Sequence, residues 1–386
     1  MCKRPVFFCP SGKRCSAIFA SMALIKDIYN ESFYSSLASI IKKVKPGFKP
    51  ADFLKQAMSP AFRTMEWKER MAHTTQVLHG FLPADFGQAM DEIRTIISQL
   101  RKEGTNGGLE YIFFADYIPR YGLDDYKTSV KAMESVTQFI SCEFAVRAFL
   151  IRYPEKMNAQ MLAWSKHKER TVRRLSTEGF RPRLPWAIAV PALKKDPSPI
   201  LPVLENLKAD TCEIVRRSVA NNLNDIAKDH PSVVLSIFKK WKGHSPETDA
   251  IIRHGSRTLL KQGHSEILDH FGLSAKNISV GQFTIHTPKV KTGGDLQFSF
   301  LLHNKNKSTT TIRLEYVIGY LRANGSHGKK VFKISEKPYP GGFEGIVSKQ
   351  HSFRIITTKT FYPGLQLLSL QVNGKDMAQG TFNLTT

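Results

Sequence analysis

Apolar residues recur every three to four positions along the first two thirds of the chain, from about residue 22 to 270. One such set is Phe33, Leu37, Ile40 and Ile41. This spacing places the apolar side chains on one face of an α-helix. Prolines and glycines interrupt the pattern at intervals, as is typical where one helix ends and the next begins. The pattern therefore predicts many helices joined by short links, and no strands in this region.

The helical region also contains a weak internal repeat with a period near 40 residues. Three tripeptides share a β-branched apolar residue followed by two basic ones: Val172-Arg173-Arg174, Val215-Arg216-Arg217 and Ile252-Arg253-His254. A period of this length in an all-helical region is typical of HEAT-like helix pairs, which stack into a curved solenoid with a concave face. The repeat predicts a HEAT-like solenoid over residues 22–272. A compact helical bundle is the alternative, but it would not require arginine at this period.

After about residue 275 the apolar pattern changes to a period of two, which is typical of β-strands. The alternating runs are 296–302, 312–320, 331–334, 351–355 and 365–370. Turn signals separate them at Gly293-Gly294, Asn324-Gly325, Gly341-Gly342 and Asn373-Gly374. Several short strands with regular turns and no helix predict a β-sandwich of immunoglobulin size over residues 276–386. The fold class is thus multidomain, an all-α repeat followed by an all-β sandwich.

The first 21 residues fit neither pattern. They are basic, contain scattered cysteines and resemble a signal peptide only weakly, because Pro10 to Arg14 interrupt the apolar run. We expect residues 1–21 either to be disordered or to be the product of a misassigned start codon.

Charge narrows the class of partner. Lys and Arg total 56 against 33 Asp and Glu, a formal net charge of +23, and basic residues occur in both halves of the chain. Such an excess is usually kept for a polyanion, with nucleic acid as the first candidate and an anionic membrane surface as the second. A generic basic surface remains open. No apolar run is long enough to predict a membrane-spanning helix.

Cysteine and histidine usage argues against a metal enzyme. Five cysteines, an odd number, stand at 2, 9, 15, 142 and 212 without zinc-ligand spacing. We expect reduced thiols in a cytoplasmic protein, and neither a metal nor another cofactor.

Three polar segments carry a more specific signal. Residues 141–147 read Ser-Cys-Glu-Phe-Ala-Val-Arg, 173–186 read Arg-Arg-Leu-Ser-Thr-Glu-Gly-Phe-Arg-Pro-Arg-Leu-Pro-Trp, and 219–225 read Val-Ala-Asn-Asn-Leu-Asn-Asp. With these segments the chain resembles the AlkC branch of the AlkC/AlkD family of bacterial DNA glycosylases, over roughly residues 22–270. The added immunoglobulin-like domain resembles one subgroup of that branch.

The resemblance implies excision of cationic methylated bases, 3-methyladenine and 3-methylcytosine, from double-stranded DNA. It implies that Glu143 and Asp225 face the sugar and the attacking water, and that Glu178 either supports them or faces the lesion. A carboxylate below the sugar would stabilise its oxocarbenium-like transition state. No lysine stands in these motifs to form a Schiff base, so we expect a monofunctional enzyme that leaves an abasic site. From spacing alone, ion pairs or a helix cap would explain the three carboxylates equally well.

Aromatic and basic residues complete the expected site. Trp186 is the best candidate for a contact with a cationic base or charged sugar, because an indole face attracts cations. Phe144 and Phe180 are weaker candidates, Tyr117 belongs to the same set, and Trp164 and Trp241 are expected in the core. The expected phosphate contacts, of which about half should touch DNA, are Arg173, Arg174, Arg181, Arg183, Arg216 and Arg217, with Lys329 and Lys330 from a basic turn of the sandwich.

Two other classes of function remain as alternatives. HEAT-like stacks also serve as protein-interaction scaffolds, and a DNA-structure binder without catalysis would keep the arginines. Convergence of Glu143, Glu178 and Asp225 beside Trp186 would favour the enzyme over both. By resemblance to the bacterial family, we expect a cytoplasmic, nucleoid-associated protein without a membrane partner. We also expect a monomer, because a clamp that wraps DNA would work as one.

Overall fold

The computed structural model describes residues 24–355 and 359–386, so the expectation for residues 1–21 lies outside the described residues. The chain forms two compact units, with the boundary between Ala145 and Val146. In the described part of the chain, no helix combines the length and the apolar composition needed to cross a membrane.

The first unit is helical. Its α-helices are α1 (Glu31–Val44), α2 (Pro50–Ala57), α3 (Trp67–His79), α4 (Phe86–Lys102), α5 (Phe113–Gly122) and α6 (Tyr126–Val136), with short 3₁₀ helices at Ile25–Ile28, Pro60–Thr64 and Leu109–Tyr111. Asn30 and Asp85 begin α1 and α4 by accepting a hydrogen bond from a backbone N–H of the first turn. Leu37, Ile40 and Ile41 are buried on one face of α1, which packs on α2 and α4. The predicted helical spacing is confirmed there.

The second unit opens with further helices, again joined by short links. They are α7 (Ala145–Arg152, which begins at the last residue of the first unit), α8 (Pro154–Trp164), α9 (Arg170–Glu178), α10 (Pro191–Lys195), a 3₁₀ helix (Ser198–Ile200), α11 (Leu201–Leu207), α12 (Glu213–Ile226), α13 (Pro231–Trp241), α14 (Pro246–Gly255), α15 (Arg257–Lys261) and α16 (Ser265–His270). Trp164 and Trp241 are each 1% exposed. Both tryptophans therefore lie in the core, as predicted.

The internal repeat corresponds to helix pairs. The three tripeptides lie in α9, α12 and α14, and these are the second helices of the pairs α8–α9, α11–α12 and α13–α14. Helix α12 packs against both α9 and α14, so the second helices lie side by side in one row. The apolar residue of each tripeptide, Val172, Val215 or Ile252, is buried. The HEAT-like repeat predicted from the sequence is confirmed.

The C-terminal part of the second unit is a β-sandwich, as predicted. Its strands are β1 (Ile278–Ile285), β2 (Lys289–Lys291), β3 (Asp295–Asn304), β4 (Thr310–Leu321), β5 (His327–Tyr339), β6 (Glu344–Ser352), β7 (Gly364–Val372) and β8 (Lys375–Thr385). One sheet has the order β1-β3-β6 and the other β2-β8-β7-β4-β5. Every pair is antiparallel except β2–β8. Alternate residues of β3 and β4 fill the core between the sheets.

Two details of the strand prediction are wrong. The fourth run, 351–355, overlaps only the end of β6. In β6, half-buried residues such as Val347 face the core and alternate with exposed ones. Lys329 and Lys330 lie in β5 and not in the preceding turn. Consecutive strand residues point to opposite faces, so these two lysines cannot act as one patch. The predicted turn glycines Gly293, Gly325, Gly342 and Gly374 all have positive φ.

Most of strand β4 is buried on both faces, and its outer face is linked to the helical repeat by charged side chains. Arg313 and Glu315 lie buried on that outer face and bind each other. Glu336 of β5 is the shared acceptor: Arg313 Nη1 donates to it at 2.8 Å and Lys333 Nζ at 2.9 Å, and it pairs with Arg253 of α14. This buried charge cluster joins the sandwich to the row of second helices.

Glu336→Ala should therefore be strongly destabilising. Removing this buried carboxylate deprives Arg253 and Lys333 of their acceptor and leaves buried Arg313 with Glu315 alone, and breaking a buried ion pair in this way costs about 3–5 kcal/mol. The matched control is Glu266→Ala, which breaks an exposed ion pair with Lys239 and should cost about 1 kcal/mol or less. Urea unfolding at neutral pH measures both. Equal midpoints for the two variants would contradict a structural role for the cluster.

Candidate active site

Two buried carboxylates lie together where α9 packs against α12. Glu178 is the last residue of α9 and Asp225 lies in the last turn of α12, and they are 6% and 1% exposed. Arg181, just after α9, bridges them: its Nε donates to Asp225 Oδ2 at 2.8 Å and its Nη1 to Glu178 Oε1 at 2.6 Å. An unpaired buried carboxylate is costly, so the arginine is what allows both acids to lie inside the protein.

Further cations surround Asp225. Lys228 Nζ donates to Asp225 Oδ1 at 3.0 Å, and the Lys228 side chain is 37% exposed, so Lys228 lies between the buried carboxylate and solvent. Arg257, at the start of α15, lies close enough to Asp225 for the carboxylate charge to affect its pKa. Burial lowers the pKa of Arg257, Asp225 opposes that effect and Arg181 adds to it. The Asp225 carboxylate is therefore held in one orientation by the cations around it.

The position of Arg181 corrects its predicted role. Burial alone would lower the pKa of its guanidinium, but the hydrogen bonds and charges of Asp225 and Glu178 outweigh burial and raise it. Arg181 is 8% exposed and its donors face protein carboxylates. It therefore positions acids and does not contact a phosphate.

The loop that supplies Arg181 also presents Trp186. This ring is 58% exposed, and its backbone has φ 64°. A bulky residue rarely adopts that conformation, which costs on the order of 1–3 kcal/mol and is found mainly at functional sites. Ile188 on the same loop is 53% exposed, whereas Phe180 at its start is fully buried. The prediction that Phe180 contacts the lesion is wrong, because its ring is part of the core.

The remaining predicted acid, Glu143, lies in the first unit. It comes just before α7, is half-buried, and accepts a hydrogen bond from Ser141 Oγ at 2.8 Å. Burial, and then the Glu143 charge, raise the pKa of the adjacent Cys142 thiol. Phe144 is half-buried. The structure thus brings Glu178 and Asp225 together, while convergence of Glu143 with them stays a prediction.

Tyr117, in the first unit, is a core residue. It is fully buried, its hydroxyl lies 2.9 Å from His79 Nδ1, and burial raises its pKa to about 12. It is not available as a member of an aromatic surface.

The predicted phosphate-binding arginines separate into two groups according to their position in the repeat. The middle residue of each tripeptide joins neighbouring elements. Arg173 makes a bidentate pair with Asp210 at 2.6 and 3.1 Å, Arg216 donates to the Asp210 carbonyl at 2.7 Å, and Arg253 pairs with Glu336. These guanidinium groups stabilise the helical stack, so the prediction for Arg173 in particular is not supported.

The third residue of each tripeptide faces outward. Arg174 of α9 is half-buried, and Arg217 of α12 and His254 of α14 are exposed. We call Arg174 and Arg217 the outer cationic row, and His254 continues it as an imidazole. Burial, then Arg257 and Arg217, lower the pKa of His254. The row borders an open groove of about 720 Å³ between α12 and α14, lined by Glu213, Arg216, Arg217, Ala220, Pro246, Glu247, Ala250, Ile251 and His254.

Ion pairs at the surface involve two other predicted arginines. Arg183 binds Asp229 at 2.6 and 3.0 Å, and Arg217 binds Glu213 at 2.8 Å. Both pairs are solvent-exposed, so either arginine can exchange its partner for a phosphate at little cost.

Comparison with known proteins identifies the family. Residues 279–386 match the family model described as the C-terminal Ig-like domain of the uncharacterised protein YhaZ. The uncharacterised protein YhaZ of Bacillus subtilis (strain 168) is 41% identical over 355 residues, which cover 92% of this chain and 97% of that protein. The structure of Pseudomonas fluorescens alkylpurine DNA glycosylase AlkC, bound to DNA containing an abasic site analogue, is 33% identical, with a TM-score of 0.89, and covers 94% of this chain and 100% of that one. The chain belongs to the AlkC family.

Sequence reasoning missed part of the site in this AlkC family member. Lys228 follows Asp225 by three residues on a helical segment, so the spacing alone indicates that it reaches the carboxylate. Arg257 comes from a different repeat and carries no such signal. The role of Asp210 as the acceptor for Arg173 depends on packing between α9 and the turn before α12. Contacts between repeats of this kind are absent from any local pattern.

Arg181→Ala should destabilise this AlkC family member by about 3–5 kcal/mol, because it leaves two buried carboxylates side by side without their shared counter-charge. The matched control is Arg183→Ala on the same loop. It removes only the exposed pair with Asp229 and should cost about 0–1 kcal/mol. Denaturant unfolding at pH 7 distinguishes them. If Arg181→Ala unfolds like Arg183→Ala, the bridge does not hold the carboxylates in place.

Proposed function

We propose that this chain is a DNA glycosylase that hydrolyses the N-glycosidic bond of cationic methylated bases, 3-methyladenine and 3-methylcytosine. The observation that carries the proposal is the buried Asp225–Arg181–Glu178 cluster, whose arginine lies on the loop that exposes Trp186. It lies in a chain that matches a DNA-bound alkylpurine DNA glycosylase over nearly its full length. A protein scaffold has no need of acids held in this way.

The chemistry follows from the charge of the base. A methylated base with a formal positive charge departs as a neutral molecule, so no acid is needed to protonate the leaving group. The sugar then develops oxocarbenium character, and a fixed carboxylate stabilises that charge and orients the attacking water. Asp225 and Glu143 take these roles, while Glu178 supports Asp225 through Arg181. Water is the nucleophile, so the product is an intact abasic site.

Trp186 supplies the second element of recognition. An indole face attracts a cation more strongly than other neutral side chains, by about 0.5–2 kcal/mol depending on desolvation. Its exposure and its fixed backbone make it available to a charged base or sugar. A neutral base would not be attracted to the indole face and would be a poorer leaving group. The enzyme should therefore prefer cationic lesions. Phe144 keeps a minor role at the same contact.

Double-stranded DNA binds along the outer cationic row, with Arg183 beside it. These groups belong to the second helices and their adjoining loop, on which Glu178 and Asp225 also lie. Phosphate contacts carry no sequence information, which suits an enzyme that must search any sequence. Lys329 and Lys330 of the sandwich add contacts from β5, one on each face of the strand. We propose that the enzyme acts as a monomer. A DNA binder without catalysis, with the same cationic row, is the competing function.

Base release from methylated duplex DNA tests the catalytic roles. Glu143→Gln and Asp225→Asn should each lower the single-turnover rate of 3-methyladenine and 3-methylcytosine release by about 10²–10³-fold, because each loses a charge that acts in the transition state. DNA affinity should persist. The control Asp229→Asn neutralises an exposed carboxylate four residues away and should keep the wild-type rate. Tight binding with no base release by the wild type would leave only the DNA-binding function.

The salt dependence of DNA binding tests the cationic row. Arg217→Ala should weaken binding of any sequence and reduce the slope of log K against log salt by about 1, because one phosphate contact is lost. Lys239→Ala on α13 is the matched control, since both cations lie in exposed ion pairs with a glutamate. Fluorescence anisotropy with a labelled duplex at several salt concentrations gives both slopes. Equal slopes for the two variants would place the DNA elsewhere.

A further inference from the structure

A single buried arginine holds the loop between α9 and α10. Arg147 of α7 is 1% exposed, and it donates three hydrogen bonds to backbone carbonyls of that loop. Its Nη1 donates to Gly179 O at 3.1 Å and to Arg181 O at 2.8 Å, and its Nε donates to Ile188 O at 2.5 Å. The acceptors lie at the two ends of the segment 179–188. The guanidinium therefore closes the loop from inside.

Arginine suits this task in a way that lysine does not. Its planar guanidinium presents several donors in a rigid fork, whereas the ammonium of lysine is a point charge on a flexible stem. Burial, then Arg181, lower the pKa of Arg147 to about 10, with Asp225 opposing. At neutral pH the group therefore stays charged. A charged donor makes stronger hydrogen bonds than a neutral one. Here it satisfies three backbone carbonyls that would otherwise lack this hydrogen-bond partner.

The segment closed by Arg147 carries the strained and exposed Trp186. Trp186 lies two residues before the Ile188 carbonyl and has φ 64°. A strained backbone persists only where its surroundings hold it in place. The hydrogen bonds from Arg147 to three loop carbonyls supply that constraint. Arg147 itself is too buried to touch DNA. Its contribution to any reaction must pass through the loop.

We propose that Arg147 is a positioning residue for base release, which fixes the 179–188 loop through three carbonyls and so presents Trp186 in the conformation that contacts the lesion. This proposal rests on the proposed glycosylase function. It adds a residue that has no contact with the substrate, and it assigns a purpose to an arginine that the charge excess alone would place on the DNA surface.

The test compares two buried arginines that bind carbonyls. Arg147→Lys keeps the charge but cannot reach all three acceptors. Arg70→Lys is the matched control in the first unit: Arg70 is 7% exposed and donates to Met65 O, Lys26 O and Tyr29 O at 2.9–3.2 Å. Both variants should lower the melting temperature. Only Arg147→Lys should lower the single-turnover rate of 3-methyladenine release, by ~10-fold or more, because small misplacements near the reacting centre reduce rates steeply.

A double-mutant cycle shows whether Arg147 acts through Trp186. If it does, adding Arg147→Lys to Trp186→Ala should change the rate by less than about twofold, because coupled residues are non-additive. If the two losses multiply, or if Arg147→Lys releases base at the same rate as Arg70→Lys, the positioning role is wrong.

Fluorescence quenching follows the loop without any reaction. Of the four tryptophans, all within the described residues, Trp67, Trp164 and Trp241 are at most 6% exposed, so acrylamide quenching of the accessible fraction reports Trp186. Arg147→Lys should change that fraction, and Arg70→Lys should leave it as in the wild type. An unchanged signal in Arg147→Lys would show that the arginine does not fix the loop. If the wild type releases no base, the proposed glycosylase function is wrong. The quenching result would still show whether Arg147 fixes the 179–188 loop.

Discussion

The ion pairs of Arg181 with Asp225 and Glu178 are the interaction on which the site depends. Two carboxylates buried within reach of one arginine would repel each other and resist desolvation without it. The bridge also requires three separate parts of the chain to be in place: the end of α9, the end of α12 and the loop between α9 and α10. Packing of the second helices in a row is therefore a precondition for the two acids to be buried together and held in a fixed orientation.

Arginine has two physical roles in this chain, and only one of them concerns DNA. Arg147, Arg181, Arg253 and Arg313 are buried or half-buried and bind carbonyls or carboxylates of the protein itself. Arg174 and Arg217 lie at the outer position of the repeat, where a phosphate can reach them. The net charge of +23 thus overstates the number of cations that a polyanion can contact. Self-repulsion among the outer cations is the cost of keeping them available.

The sandwich is joined to the row of second helices by a cluster of charged side chains. Most of strand β4 is buried on both faces, and the cluster of Arg253, Arg313, Lys333, Glu315 and Glu336 lies where its outer face meets the helices. Because α14 also packs on α12, the orientation of the sandwich is coupled to the helix that carries Asp225. Any DNA contact made by β5 is therefore made at a defined distance from the acids.

The amino-acid sequence by itself determined the helical spacing, the repeat near 40 residues, the turn glycines and the switch to strands, because each is a local pattern of side chains and backbone preferences. It also singled out Asp225, Glu178 and Trp186 by motif. Only the tertiary structure decided which arginines face outward, since Arg173 and Arg174, or Arg216 and Arg217, are adjacent in the chain and differ only in the face they occupy. Burial of Phe180, the bridge made by Arg181 and the loop held by Arg147 depend on partners some 30–45 residues away, and no local pattern specifies which of many arginines will find them.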